Sequence, residues 1–114
     1  MKLPGAAQAL VEERKVREYL LNQAHLDGMA KARFFAGRGY REEEWQRLAD
    51  DLRRHGQQND VAGTVESPYG TRYSVDGQLR TPTGESIRVI TVWIIEKGTD
   101  VPRLVPRIRH RRKQ

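Results

Sequence analysis

An α+β domain, with three helices leading into an antiparallel sheet, is the architecture this chain of 114 residues predicts. Apolar residues recur with a helical period up to about residue 55 and with a period of two after about residue 61. Short turns rich in Gly and Pro cut the second half into pieces of strand length. The length itself allows one hydrophobic core.

The first helix is expected over residues 12–22, where Val16, Tyr19, Leu20 and Gln23 fall at i, i+3, i+4 and i+7. A second over residues 29–36 lines up Ala32, Phe35 and Ala36 and ends at Gly37 and Gly39. The third, over residues 42–55, has the clearest stripe: Trp45, Leu48, Ala49 and Leu52. Glu42, Glu43 and Glu44 suit its positive end, Arg53, Arg54 and His55 its negative end, and Gly56 supplies a stop. Strands are expected over 61–66 and 70–76, flanking the turn Ser67-Pro68-Tyr69-Gly70. Asp76-Gly77 reads as a second turn and Pro82-Thr83-Gly84 as a third. Residues 87–95 (IRVITVWII) are apolar on both parities, which predicts a central strand covered on both faces. A last strand over 101–108 carries Pro102 and Pro106, confining it to an edge or a bulge. The expected fold is therefore three N-terminal helices packed on a sheet of four to five antiparallel strands. Residues 1–106 form the body and 107–114 a basic tail.

Charge is concentrated at one end. The chain carries 21 Lys and Arg against 15 Asp and Glu, a net +6. Arg103, Arg107, Arg109, Arg111, Arg112 and Lys113 account for all of the excess, so the first 102 residues hold 15 of each sign. Such a block suits a polyanion, because each cation brought to a phosphate releases counterions; its plain alternative is a solubilising tail. No apolar run approaches the roughly 18 residues of a membrane span, and the N-terminus lacks a leader's apolar stretch. With no cysteine, disulfides and thiolate metal sites are out, and a cytoplasmic chain starting near Met1 is expected.

Several chemistries fall away on spacing. His25, His55 and His110 are far apart, and there is no HExxH, Cys cluster or calcium loop, so no metal or other cofactor is expected. Gly37-Arg38-Gly39 follows a helix and lacks the continuation of a phosphate loop. Ser67, Ser74 and Ser86 have no nucleophile-elbow context. What remains is His25 in a loop before Gly28, Lys31 and Arg33 just beyond it, Arg72 on the strand face opposite Tyr73, and Thr91, the one hydroxyl in the apolar strand. A polar residue there needs a partner. These groups suit metal-free RNA cleavage, in which a ribose 2′-OH attacks the adjacent phosphate. His25 would be base or acid, Lys31 and Arg72 the electrostatic clamp, and Thr91 a donor to a phosphate oxygen. The plainer alternatives are a solvent-facing loop histidine, ordinary surface cations, and a Thr91 that satisfies a backbone group.

The blocks Val16-Arg17-Glu18-Tyr19-Leu20-Leu21-Asn22, His25-x-x-Gly28-x-x-Lys31-Ala32-Arg33-Phe34-Phe35, Tyr69-Gly70-Thr71-Arg72-Tyr73 and Thr91-x-Trp93-Ile94-Ile95 resemble a family of small bacterial domains. The resemblance spans about residues 2 to 105. That family is similar to C-terminal toxin modules of filamentous haemagglutinin and contact-dependent inhibition proteins, which look like members of the barnase/EndoU/colicin/RelE ribonuclease superfamily. It implies a toxin-like, metal-independent endoribonuclease acting on tRNA or another structured RNA, with an acidic protein partner that neutralises it. It also implies His25, Lys31, Arg72 and Thr91 as catalytic positions. Arg33, Tyr73, Arg103, Arg107, Arg109, Arg111, Arg112 and Lys113 would bind RNA. A monomer or weak homodimer is expected. In one departure, Pro106 stands where relatives show a threonine. The competing readings are a non-catalytic interaction module of antitoxin or regulatory type, and an RNA-binding protein without chemistry, contacting RNA through Arg72, Tyr73 and the tail.

Overall fold

The buried side chains of the two long middle strands, Val75 and Leu79 on one and Ile87, Val89, Thr91 and Trp93 on the other, all fall on one parity beneath the helices, and this fixes the layering of the molecule. The structure, a computed structural model, describes residues 1–21 and 29–110. The sheet is a four-stranded antiparallel meander in the order β1 (Val61–Ser67), β2 (Gly70–Arg80), β3 (Ser86–Glu96), β4 (Arg103–His110). Its helical layer is made of α1 (Glu13–Lys15), which widens into a π-helical turn (Val16–Leu20), α2 (Met29–Ala36) and α3 (Trp45–Gln58). Short 3-10 turns at Ala6–Gln8 and Glu42–Glu44 complete it. No described helix is long and apolar enough to cross a membrane.

The π turn closes through a bond from the Leu21 N–H to the Val16 carbonyl at 2.9 Å. Val16 and Leu20, four residues apart, share one face of this turn, and both are fully buried. α3 buries the expected Leu48, Ala49 and Leu52, and on the same stripe Asp51, His55 and Gly56. Gly56 does not stop the helix. A Cβ there would lie 2.6 Å from the Trp93 ring, so the glycine lets α3 sit directly on that buried indole. The helix ends two residues later, where the Asn59 side chain donates to the His55 carbonyl (2.9 Å) and the Lys2 ammonium to the Gln58 carbonyl (2.8 Å). The Asp51 carboxylate is buried but satisfied: it accepts from the Tyr40 hydroxyl at 2.7 Å and faces Arg47 and Arg54 at 3.4 and 3.3 Å.

Two strand expectations change. Asp76-Gly77 is not a turn, because β2 runs unbroken through it. Arg88 on β3 donates to Asp76 across the ladder at 2.9 Å, and Gly77 leaves room for Asn59, which a Cβ would meet at 2.2 Å. The hairpin turns instead at Pro82-Thr83-Gly84, as expected, with the Thr81 N–H donating to the Glu85 carbonyl. β4 is the expected edge strand, irregular where its register shifts opposite Ile90 and Val92, but it continues to His110. Arg107 and Arg109 therefore sit on the sheet rather than in a tail.

Candidate functional site

The helices cover only one face of the sheet. On the covered face, Val75, Leu79, Ile87, Val89, Thr91, Trp93 and Leu104 are buried. The opposite parity of β3, Ile90, Val92 and Ile94, is only half-buried. The expectation that this strand is covered on both faces fails for a plain reason: among the described residues no layer lies on its second face.

Register assigns the neighbours of that open face, since cross-strand partners share a side. One row reads Val65, Arg72, Ile94, Arg103; the next Gly63, Ser74, Val92, Val105; a third Asp76, Ile90, Arg109. Val65 is 66% exposed. The result is an apolar centre ringed by guanidinium groups. Two of these are occupied: Arg88 pairs with Asp76, and Arg103 pairs with Glu12 at 2.9 Å and with Glu96. The carboxylates beside Arg103 raise its pKa, and its bonds from Lys15 and Arg103 hold Glu12 below the usual carboxylate range. Arg72, Arg109 and the exposed Arg107 make no ion pair or hydrogen bond among the described residues. Unpaired guanidiniums in a plane are suited to phosphate.

Of the four candidate catalytic residues, the two whose side chains are described, Arg72 and Thr91, are not brought together. Thr91 lies opposite Val75 on the covered face, and Arg72 lies on the open face, so the sheet separates them. Thr91 is fully buried and its hydroxyl is spent in the core. His55 Nε2 faces the carbonyls of Gly77 and Val89, both at 3.1 Å, so Nε2 carries the proton. Nδ1 then accepts from the Thr91 hydroxyl at 3.0 Å, and the same oxygen accepts from the Trp93 indole N–H at 2.9 Å. This answers why a hydroxyl stands in the apolar strand: it links two buried nitrogens. Of the RNA-binding candidates, Arg33 is exposed on α2, and Tyr73 is half-buried on the face opposite Arg72. Arg103 is neutralised by its two carboxylates. His25, Arg111, Arg112 and Lys113 lie outside the described residues, as does the side chain of Lys31. Among the described residues no three His, Cys, Asp or Glu side chains are grouped to hold a metal.

Sequence reasoning misses His55 as a core residue because basic residues at a helix C-terminus read as solvent-facing. Its place seven residues after Leu48 is the available signal. Burial lowers its pKa from the ordinary histidine value, with the two carbonyls opposing in part. Because the folded state disfavours the proton and the unfolded chain takes it up near pH 6.5, stability is complete above that pH and falls as pH drops through and below it. Urea unfolding at pH 7.5 and 5.0 should give a lower midpoint at the acid pH, with the difference reduced in His55→Gln.

The fold is an α+β domain that also occurs in a bacterial growth-inhibition complex. A solved chain from a contact-dependent growth inhibition toxin and immunity protein complex of Klebsiella pneumoniae 342 superposes on 90% of this chain and 100% of its own, with a TM-score of 0.69 at 16% identity. By sequence, residues 2–108 match the family described as Domain of unknown function (DUF6883), and the chain belongs to that family. No curated protein matches.

Proposed function

We propose that the chain is a toxin-like, metal-independent endoribonuclease that holds a structured RNA, tRNA foremost, on the open face of its sheet. The observation that carries the reading is the open face itself, where Arg72 and Arg109, unpaired among the described residues, flank an apolar centre. The shared fold with a chain of a toxin and immunity complex supports it. Arg72 keeps its role as a phosphate clamp, and His25 and Lys31 are proposed as the acid-base and electrostatic groups; because Lys31 belongs to α2 in the helical layer, the bound RNA would have to reach round the edge of the sheet from the open face to meet them. Thr91 leaves the site and is assigned to the core. Arg107 and Arg109 join Arg111, Arg112 and Lys113 in phosphate contact. An acidic protein that neutralises the activity would cover the same face, matching carboxylates to the arginines and apolar side chains to Ile90, Val92 and Ile94.

A second reading, an RNA- or protein-binding module without chemistry, is favoured by one observation: the described residues of the open face offer cations but no unpaired histidine or carboxylate. Incubating the purified protein with total bacterial RNA in EDTA separates the two. The enzyme gives discrete fragments ending in 2′,3′-cyclic phosphate, lost in His25→Ala and Lys31→Ala. Intact RNA with the folded wild type would reject cleavage and leave the binding module.

A further inference from the structure

Away from the open face, a cleft of about 550 Å³ lies between the N-terminal 3-10 turn and the end of the sheet. It is lined by Pro4, Gly5, Ala7, Gln8, Tyr73, Ile95 and Asp100, and its size suits a single nucleobase with its sugar. Three of its polar groups, the Gln8 amide, the Tyr73 hydroxyl and the Asp100 carboxylate, make no hydrogen bond or ion pair among the described residues. The cleft's walls approach closely through a glycine: Gly5 has φ +68°, and a Cβ on it would lie 2.5 Å from the Asp100 carbonyl oxygen.

We propose that this cleft binds a guanine base. Pro4, Ala7, Ile95 and the Tyr73 ring provide the apolar and aromatic surface that a flat ring needs. The choice among bases follows from donors and acceptors. An ionised carboxylate only accepts, so its best mate presents two adjacent donors. Guanine does so with N1–H and N2–H₂. Adenine and cytosine each set a ring acceptor beside their amino group, and uracil flanks its one N–H with two carbonyls; each would place a lone pair against Asp100. The Gln8 amide N–H completes the match by donating to guanine O6. A chain of net +6 disfavours a cationic ligand for the same carboxylate. The inference rests on the RNA reading only for where the base comes from, since the cleft's chemistry fits guanine in RNA and in a free nucleotide alike.

The test is a titration of the ¹⁵N-labelled protein with GMP and, separately, AMP, whose shared phosphate leaves the base as the difference. GMP should shift the amides of Gly5, Ala7, Gln8 and Asp100 saturably, with AMP roughly tenfold weaker, as for a bidentate contact. Asp100→Asn should erase that preference, and Gln8→Ala should reduce it. An oligouridylate with one central guanine that binds more tightly than GMP identifies RNA as the source; weaker binding identifies the free nucleotide. No shift at millimolar GMP, equal response to AMP, or an unchanged preference in Asp100→Asn overturns the proposal. All of these are read without cleavage, so failure of the ribonuclease reading leaves them intact.

Discussion

Arg72→Glu combined with Arg109→Glu should weaken RNA association by on the order of tenfold per arginine at moderate salt, and lower the salt dependence by about two phosphate contacts. Both side chains are exposed and unpaired among the described residues, so the fold should be left within about 0.5 kcal/mol of wild type. Arg103→Glu provides the contrast. Its guanidinium is committed to Glu12 and Glu96, and reversing it sets three carboxylates together, so stability falls as well. Fluorescence anisotropy with a labelled tRNA at several salt concentrations, beside urea melts, separates lost affinity from lost fold.

Thr91→Val has the largest expected effect on stability. The substitution keeps the shape but removes the hydroxyl, leaving His55 Nδ1 without a donor and the Trp93 indole N–H without an acceptor. Two buried unsatisfied groups cost about 2–6 kcal/mol together, a large share of a small domain's stability. Thr91→Ser should recover most of the loss. If Thr91 contacted phosphate instead, Thr91→Val would depress cleavage per folded molecule; in the core role, cleavage scales with the folded fraction alone. Urea melts and single-turnover cleavage on the same preparations distinguish these results.

The period of two and the period of 3.6 are both legible in the sequence, and so the meander and the stripe of α3 are as expected. Local punctuation is less reliable. Asp76-Gly77 has the composition of a turn, but the dipeptide cannot reveal that Arg88 waits across the ladder or that Asn59 fills the space a side chain would take. Gly56 reads as a helix stop because its packing partner, Trp93, is 37 positions away. The open face is half legible. The apolar parity of Ile90, Val92 and Ile94 is plain, but the same pattern describes a strand covered by its own chain and one left for a partner. Arg72 stands out from its place opposite Tyr73. Thr91 stands out for its polarity, but its surroundings are hidden, since a hydroxyl bridging a histidine and a tryptophan depends on α3 meeting β3, 36 positions along the chain.

Which face of the sheet meets RNA decides between the proposed function and its rivals. The most direct measurement is an amide-shift map of the ¹⁵N-labelled protein titrated with a structured RNA in EDTA. Shifts strongest in the open-face rows, at Arg72, Ser74, Val92, Ile94, Val105 and Arg109, are the predicted result. Shifts centred on the exposed side of α3, at Gln46, Arg47 and Asp50, with the open face silent, would contradict it.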